Sequence, residues 1–327
     1  MTLFSPYFIL FIYIAILFED RVISTTHQTN KFDKKTFFGQ DTFSQVSFLG
    51  QDTLNQVSFS GGGALGAVEI GIFKRILELE PKTKTYDLYT GISAGALNSG
   101  FLSYYKDPKK GVTNAEKIYS SLRNHQIYAV LPLTGVSVFN TQPLYNTLTS
   151  VISKMPLKPS VHTLIGATNM YSGNLDVYTF EDQNDDDKVL LMMSSSAIPG
   201  LFPPIAFKDW VYADGGTLSN ELLQIEREEG QYLNITYITP YNGYGYNDEP
   251  IDSLETMLKR TVSILLANYN DPLTTMYQNC KTPIGEINQY YVPSEYLEGY
   301  NMLNFDHGSE LIEIGYNHMK TNKYKLC

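Results

Sequence analysis

Gly91-Ile92-Ser93-Ala94-Gly95 separates a strand-like run, Tyr86–Thr90, from a helix-like one, Ala94–Tyr105. A strand that gives way to a helix within so few residues must turn sharply. Small residues two places before and after the serine let the backbone do so and leave its hydroxyl exposed, placed for attack on a carbonyl. The competing reading is an ordinary strand-to-helix loop that matches by chance, and the surrounding segments decide between them.

Upstream, Gln56–Ser60 reads as a short buried strand, and Gly61-Gly62-Gly63-Ala64-Leu65-Gly66 leads into a helix. Val68, Ile72, Ile76 and Leu79 recur at spacings of four, four and three, which marks one apolar helix face. Glycines between a strand end and a helix start leave backbone N–H groups bare, and the helix dipole adds partial positive charge. The loop suits a negative oxygen such as the anion of an acyl-transfer intermediate, where each well-placed donor is worth roughly 3 kcal/mol. Gly61, Gly63 and Gly66 also satisfy the dinucleotide fingerprint, which needs an acid at the end of the next strand, about 20 residues on. Asp87 stands at the start of that strand and the serine turn occupies its end, so an oxyanion site ranks above a nucleotide site. Asp214-Gly215-Gly216 follows another short strand, Trp210–Ala213. A carboxylate there can approach a second loop closely, although a plain Asp-Gly turn explains the segment taken alone.

Together the three motifs resemble those of the patatin-like phospholipase family, lipid acyl hydrolases that use a Ser–Asp dyad. That family carries a glycine-rich oxyanion loop, a G-x-S-x-G turn one helix and one strand later, and D-G-G or D-G-A much further on. Ser194–Pro204 resembles the family's small-residue helix end and Pro-Phe-Pro turn. Asn220 stands where an asparagine is usual, and Asn304–Asp306 with Glu310–Tyr316 resembles the C-terminal helix. The likeness covers about residues 54–320 and departs at Leu65, where many members carry Arg or Lys. It implies Ser93 as nucleophile, Asp214 as general base and proton acceptor, and the amides of Gly61, Gly62 and Gly63 as the oxyanion hole. Gly66, Gly91, Gly95, Gly215 and Gly216 support these loops, and the implied chemistry requires no metal and no cofactor. An aspartate near its unperturbed pKa of about 3.9 is a poor base for serine, so a water-excluding site that raises it is expected.

The order Ser93, Asp214, His307 would also suit an α/β-hydrolase triad. That fold places its oxyanion loop after the third strand and its serine after the fifth, whereas Gly61 to Ser93 has room for one helix and one strand. His307 reads as a surface or capping residue and His318 as a packed one, while His27, His125 and His162 have no motif around them.

The hydrophobic content of 43%, the charged content of 18% and the 327 residues suit a single globular α/β domain. A net charge of −10 with no basic stripe argues against nucleic acid and against a polybasic grip on anionic membranes. Lipid contact would rest on apolar and aromatic surface; the tyrosine cluster Tyr241–Tyr246 is either an interfacial rim or an exposed loop. Pro6–Phe18 is nearly unbroken apolar sequence, short for a membrane span and similar to the core of a secretory signal, though no basic residue precedes it. A cleaved signal over residues 1–24 and secretion are expected, with a membrane anchor as the alternative. Cys280 and Cys327 can then pair, but the fold does not depend on it.

Residues 38–48 and 49–59 are a tandem repeat of eleven residues, and only the second copy can be the first core strand, because it leads into the glycine loop. Asn234-Ile-Thr236 is a glycosylation sequon inside an expected buried strand, Tyr232–Ile238, and is discounted. The acidic run Glu181–Asp187 fails the calcium-loop template, since the sixth and twelfth positions from Asp182 are Asp187 and Met193 rather than Gly and Glu. Its acids instead favour the N-terminus of the following helix. Ile251, Leu254, Leu258, Val262, Leu265 and Tyr269 repeat at three and four, predicting a long amphipathic helix with that face toward the core.

The expected fold is α/β, a three-layer α/β/α domain with a central, mostly parallel sheet over residues 54–322, preceded by an extension over 25–53. The expected function is a lipid acyl hydrolase of phospholipase A type, working through an acyl-enzyme on phospholipid or another lipid ester at a membrane or micelle surface. A carboxylesterase for soluble esters and a catalytically silent secreted or storage protein are the alternatives.

Overall fold

The computed structural model describes residues 52–81, 83–130, 136–223, 230–241, 250–268 and 284–326. The chain divides into two units, Met1–Thr36 and Phe37–Cys327, and every described residue belongs to the second. The elements begin with β1 (Thr53–Phe59), α1 (Gly66–Leu79), β2 (Leu88–Gly91), α2 (Ala94–Leu102) and α3 (Pro108–Ser121). A small ladder, β3 (Ala129–Val130) and β4 (Phe139–Asn140), precedes α4 (Gln142–Ile152), β5 (His162–Asn169) and β6 (Leu175–Thr179). There follow α5 (Asp185–Ser195), β7 (Ile205–Phe207), β8 (Trp210–Asp214) and β9 (Tyr232–Tyr241). The chain closes with α6 (Leu254–Asn268), β10 (Gly285–Val292), α7 (Gly308–His318) and β11 (Lys320–Leu326).

Among the described residues, nine strands form one sheet in the order β11-β10-β9-β1-β2-β5-β8-β7, with β6 also paired to β5. The middle strands β10, β9, β1, β2 and β5 run parallel. Strands β11, β6, β8 and β7 are added at the two ends through antiparallel pairings. Strand residues alternate between two apolar cores. Val57, Phe59, Tyr89 and Ile238 pack with residues of α1, α2, α3 and α7, and Ile165 and Ala167 with residues of α2, α4 and α5. Their neighbours Leu54, Leu88, Leu164, Leu233, Ile235 and Tyr237 are buried on the opposite face. A sheet apolar on both faces is the middle layer of a three-layer α/β/α fold. Crossovers run from β1 through β2 to β5 in one direction and from β9 to β10 in the other. The reversal between β1 and β9 is a switch point, where ligand crevices open at the C-terminal strand ends. The glycine loop leaves β1 at that end.

Several expectations are refined. Val68, Ile72 and Ile76 are buried on α1 as predicted, but Leu79 is exposed at its last turn. Among the described side chains of α6, Leu258 and Val262 pack against a core, that of Val138, Phe139, Ile198, Leu201, Phe202, Met302 and Leu303. Ile251 and Leu254 are exposed, so the apolar face is not buried from end to end. The sheet continues past residue 322, because β11 pairs with β10 as far as Leu326. The acidic run behaves as expected: Asn184 caps α5 through the Asp187 N–H, with Asp185, Asp186 and Asp187 in the first turn. Asn234 lies inside β9, bonded to the Asn55 side chain. His307 is the N-cap residue of α7, and His318 stacks on Tyr296. Residues 1–24, the first repeat copy, most of the tyrosine cluster, Cys280 and Cys327 lie outside the described residues. No helix among the described residues is long and apolar enough to cross a membrane.

Candidate active site

Ser93 sits between β2 and α2 with φ 54° and ψ −123°, a conformation that side-chain-bearing residues adopt only when neighbours enforce it. The enforcement is visible. Its N–H donates to Ser195 Oγ at 2.9 Å, and the Ser195 hydroxyl donates to the Gly166 carbonyl at 2.6 Å. Gly95 lies so close to the end of β1 that a β-carbon there would stand 2.2 Å from the Phe59 carbonyl oxygen. Gly91 ends β2 and opens the turn.

Asp214 is brought to Ser93 by the way β5 shares one edge. β2 pairs with β5 as far as Gly91 opposite Ile165, and β8 arrives antiparallel on the same edge with Asp214 opposite Ala167. The two strands thus meet head to head, about 7 Å apart along β5. Ser93 Oγ donates to Asp214 Oδ2 at 2.7 Å, and Asp214 Oδ1 accepts the Gly216 N–H at 2.7 Å. Gly215 and Gly216 form the tight turn that makes this second bond possible. Both side chains are buried, each residue 4% exposed. Burial pushes the Asp214 carboxyl up to about 7, against the opposing pull of the bonds from Ser93 and Gly216. A carboxylate of that basicity is matched to taking a proton near neutral pH.

The glycine loop is held from across the sheet. Thr90, Ser58 and Gln56 all donate side-chain hydrogen bonds to the Leu222 carbonyl, fastening the segment after Asp214 to β1 and β2. That fastening delivers Asn220 to the loop. Its Oδ1 accepts the Gly61 N–H at 3.0 Å, and its Nδ2 donates to the Gly61 carbonyl at 3.1 Å. The expectation for Gly61 is therefore corrected: its amide is spent on Asn220 and is not open to an oxyanion. Among the described residues nothing accepts the N–H of Gly62 or Gly63, whereas the Ala64 N–H donates to the Met302 carbonyl at 2.7 Å. Gly63 has φ 57°, and a β-carbon there would meet the Met302 carbonyl oxygen at 2.2 Å. Gly61 itself abuts the serine turn, since a β-carbon on it would come within 3.0 Å of Ser93 Cβ.

Two supports escaped sequence reasoning. Ser195 is hidden in a run of three serines with nothing local to single it out. Glu69 is the other: fully buried on α1, its Oε1 is hydrogen-bonded with Ser60 Oγ at 3.2 Å and its Oε2 accepts from Asn98 Nδ2 at 2.8 Å. Asn98 also donates to the Gly66 carbonyl at 3.0 Å and accepts from the Tyr119 hydroxyl at 2.8 Å. Burial holds the Glu69 carboxyl well above the usual carboxylate range, although the bonds from Asn98 and Ser60 oppose it. The signal was present, because an acid on the same helix face as Ile72, Phe73 and Ile76 is out of place in a surface helix. Among the described residues no three His, Cys, Asp or Glu side chains converge as a metal site requires.

A hydroxyl on a strained strand-to-helix turn, bonded to a buried carboxyl beside unspent main-chain donors, is equipment for acyl transfer. The model of the patatin-like phospholipase family matches residues 57–225. The chain belongs to that family, and its class of activity is hydrolysis of lipid esters. Among solved structures, VipD from Legionella pneumophila is similar at 15% identity and a TM-score of 0.37, with 83% of this chain and 68% of that one covered. ExoU in its complex with SpcU from Pseudomonas aeruginosa is similar at 12% identity and a TM-score of 0.28. There the match takes in 84% of this chain and 54% of ExoU, so this chain spans about half of that protein's length. No curated protein matches the sequence.

Proposed function

We propose that this protein is a serine-dependent lipid acyl hydrolase of phospholipase A type that works through a Ser93–Asp214 dyad. The observation that carries the proposal is the 2.7 Å hydrogen bond from Ser93 Oγ to a buried Asp214 carboxyl. Asp214 Oδ2 takes the hydroxyl proton as Ser93 Oγ bonds to the ester carbonyl carbon. The N–H groups of Gly62 and Gly63 receive the oxyanion, each donor contributing roughly 3 kcal/mol. Collapse breaks the bond to the leaving alcohol, which departs with the proton held by Asp214. Water then adds to the acyl-enzyme, giving its proton to Asp214, and Ser93 recovers that proton as the fatty acid leaves. The substrate is a phospholipid or related lipid ester presented at a membrane or micelle surface.

The test is a fluorophosphonate probe followed by peptide mass spectrometry, together with phospholipid hydrolysis in mixed micelles. Labelling confined to Ser93, and loss of both labelling and hydrolysis in Ser93→Ala, is the expected result. A folded Ser93→Ala variant that still releases fatty acid overturns the dyad. Hydrolysis of soluble esters with no increase when substrate forms micelles favours a carboxylesterase instead, and an unlabelled wild-type protein marks a silent member of the fold.

A further inference from the structure

The geometry points to Glu69 as a positioning residue that aims the first oxyanion donor, acting as an uncharged acid through the Ser60 hydroxyl and the Gly61 carbonyl. This deepens the proposed acyl-transfer function and rests on it. The key is the peptide unit between Gly61 and Gly62. Its carbonyl and its N–H lie in one plane and point in opposite directions, so whatever grips the Gly61 oxygen also sets where the Gly62 N–H points.

Two groups grip that oxygen. Asn220 Nδ2 donates to it at 3.1 Å, and Ser60 Oγ stands 3.4 Å from it. Ser60 has one hydroxyl proton and two acceptors in reach, the Gly61 carbonyl and Glu69 Oε1 at 3.2 Å. Which acceptor receives the proton depends on Glu69. An ionised Glu69 can only accept, so it draws the Ser60 proton away from the loop. An uncharged Glu69 donates its own proton to Ser60 Oγ, and the Ser60 hydroxyl is then free to donate to Gly61. Its second oxygen meanwhile accepts from Asn98, on the helix that follows Ser93, at 2.8 Å. A single side chain thus ties the glycine loop to the serine helix. Its complete burial away from solvent favours the uncharged form. Among the described residues, the other titratable group bonded into this cluster is Tyr119, whose hydroxyl donates to Asn98 Oδ1.

The test compares Glu69→Gln, Glu69→Ala and Ser60→Ala in the full chain. The readouts are kcat and KM on a soluble ester and the rate of inactivation by a fluorophosphonate, whose phosphoryl oxygen takes the oxyanion position. Glutamine keeps both contacts of the uncharged acid, with its amide nitrogen donating to Ser60, and is expected to recover to within about threefold of wild type. Alanine at 69 or 60 is expected to lower kcat and the inactivation rate at least about tenfold with KM little changed, the pattern of an interaction made only in the transition state. Alanine variants that lose thermal stability but keep kcat overturn the proposal in favour of a purely structural role. A folded Glu69→Gln as impaired as Glu69→Ala overturns the uncharged form. Absence of inactivation in the wild-type protein itself would instead mark failure of the dyad.

Discussion

Replacing Asp214 by asparagine separates what the carboxyl does for catalysis from what it costs the fold. The carboxyl titrates at about 7 in the native protein against an ordinary 3.8. Ionising it in the native state therefore costs about 4 kcal/mol relative to the unfolded chain. The sign follows from proton binding. Between about pH 4 and about pH 7 the native state holds a proton that the unfolded chain has released, so this group's stabilising contribution fades as pH rises through that window. Asparagine carries no such term and preserves the geometry: its amide nitrogen faces Ser93 Oγ, and its oxygen still accepts the Gly216 N–H. Asp214→Asn is thus expected to match wild type in stability near pH 4 and to exceed it by up to about 4 kcal/mol near pH 8, or about 6 °C in melting temperature. Burial of Glu69 and Glu221 also raises their carboxyls, but both groups are common to the two proteins and cancel in the difference. Hydrolysis by the variant should fall by about 10²–10⁴-fold. Wild-type kcat/KM should rise about tenfold per pH unit below about pH 7 and level off above it. Denaturant unfolding of both proteins from pH 4 to pH 8 is the assay. A stability gap that does not widen with pH refutes the raised carboxyl and the base argued from it.

Ser93→Gly and Ser93→Ala should both be inactive, yet glycine should be the more stable by about 1 kcal/mol, because it alone accepts φ 54° without strain. Urea midpoints decide this, and equal stabilities would mean the turn holds no strain. Ser195→Ala leaves the buried Ser93 N–H and the Gly166 carbonyl without their partner, at a cost of about 1–3 kcal/mol. It should also lower kcat more than it raises KM, and an unaltered kcat would show that Ser195 does not hold the nucleophile.

Much of the site is readable along the chain because its parts are local devices. A serine between glycines at a strand-to-helix change specifies a sharp turn, and Gly61–Gly63 specifies bare amides ahead of a helix. Both depend on backbone geometry within a few residues. Glu69 was half legible, as a charge on an apolar helix face, but its partners Ser60 and Asn98 belong to other elements. Gln56, Ser58 and Thr90 look like ordinary polar positions in strands; their common attachment to the Leu222 carbonyl emerges only when the later segment crosses them. The fate of the Gly61 amide follows from that same crossing, which is why composition and spacing alone mistook it for an open donor.

Periodicity and small-residue spacing by themselves determined the alternation of strands and helices, the turn that lifts Ser93, and the loop that bares main-chain donors. The tertiary structure decided the rest: that β2 and β8 end head to head on one edge of β5, that Asp214 loses its water, and that Asn220 takes one donor while two find no acceptor among the described residues. The reason is physical. Local conformation depends on a residue and its near neighbours, whereas proton affinity and hydrogen-bond availability depend on desolvation and on partners supplied by chain segments more than a hundred residues away.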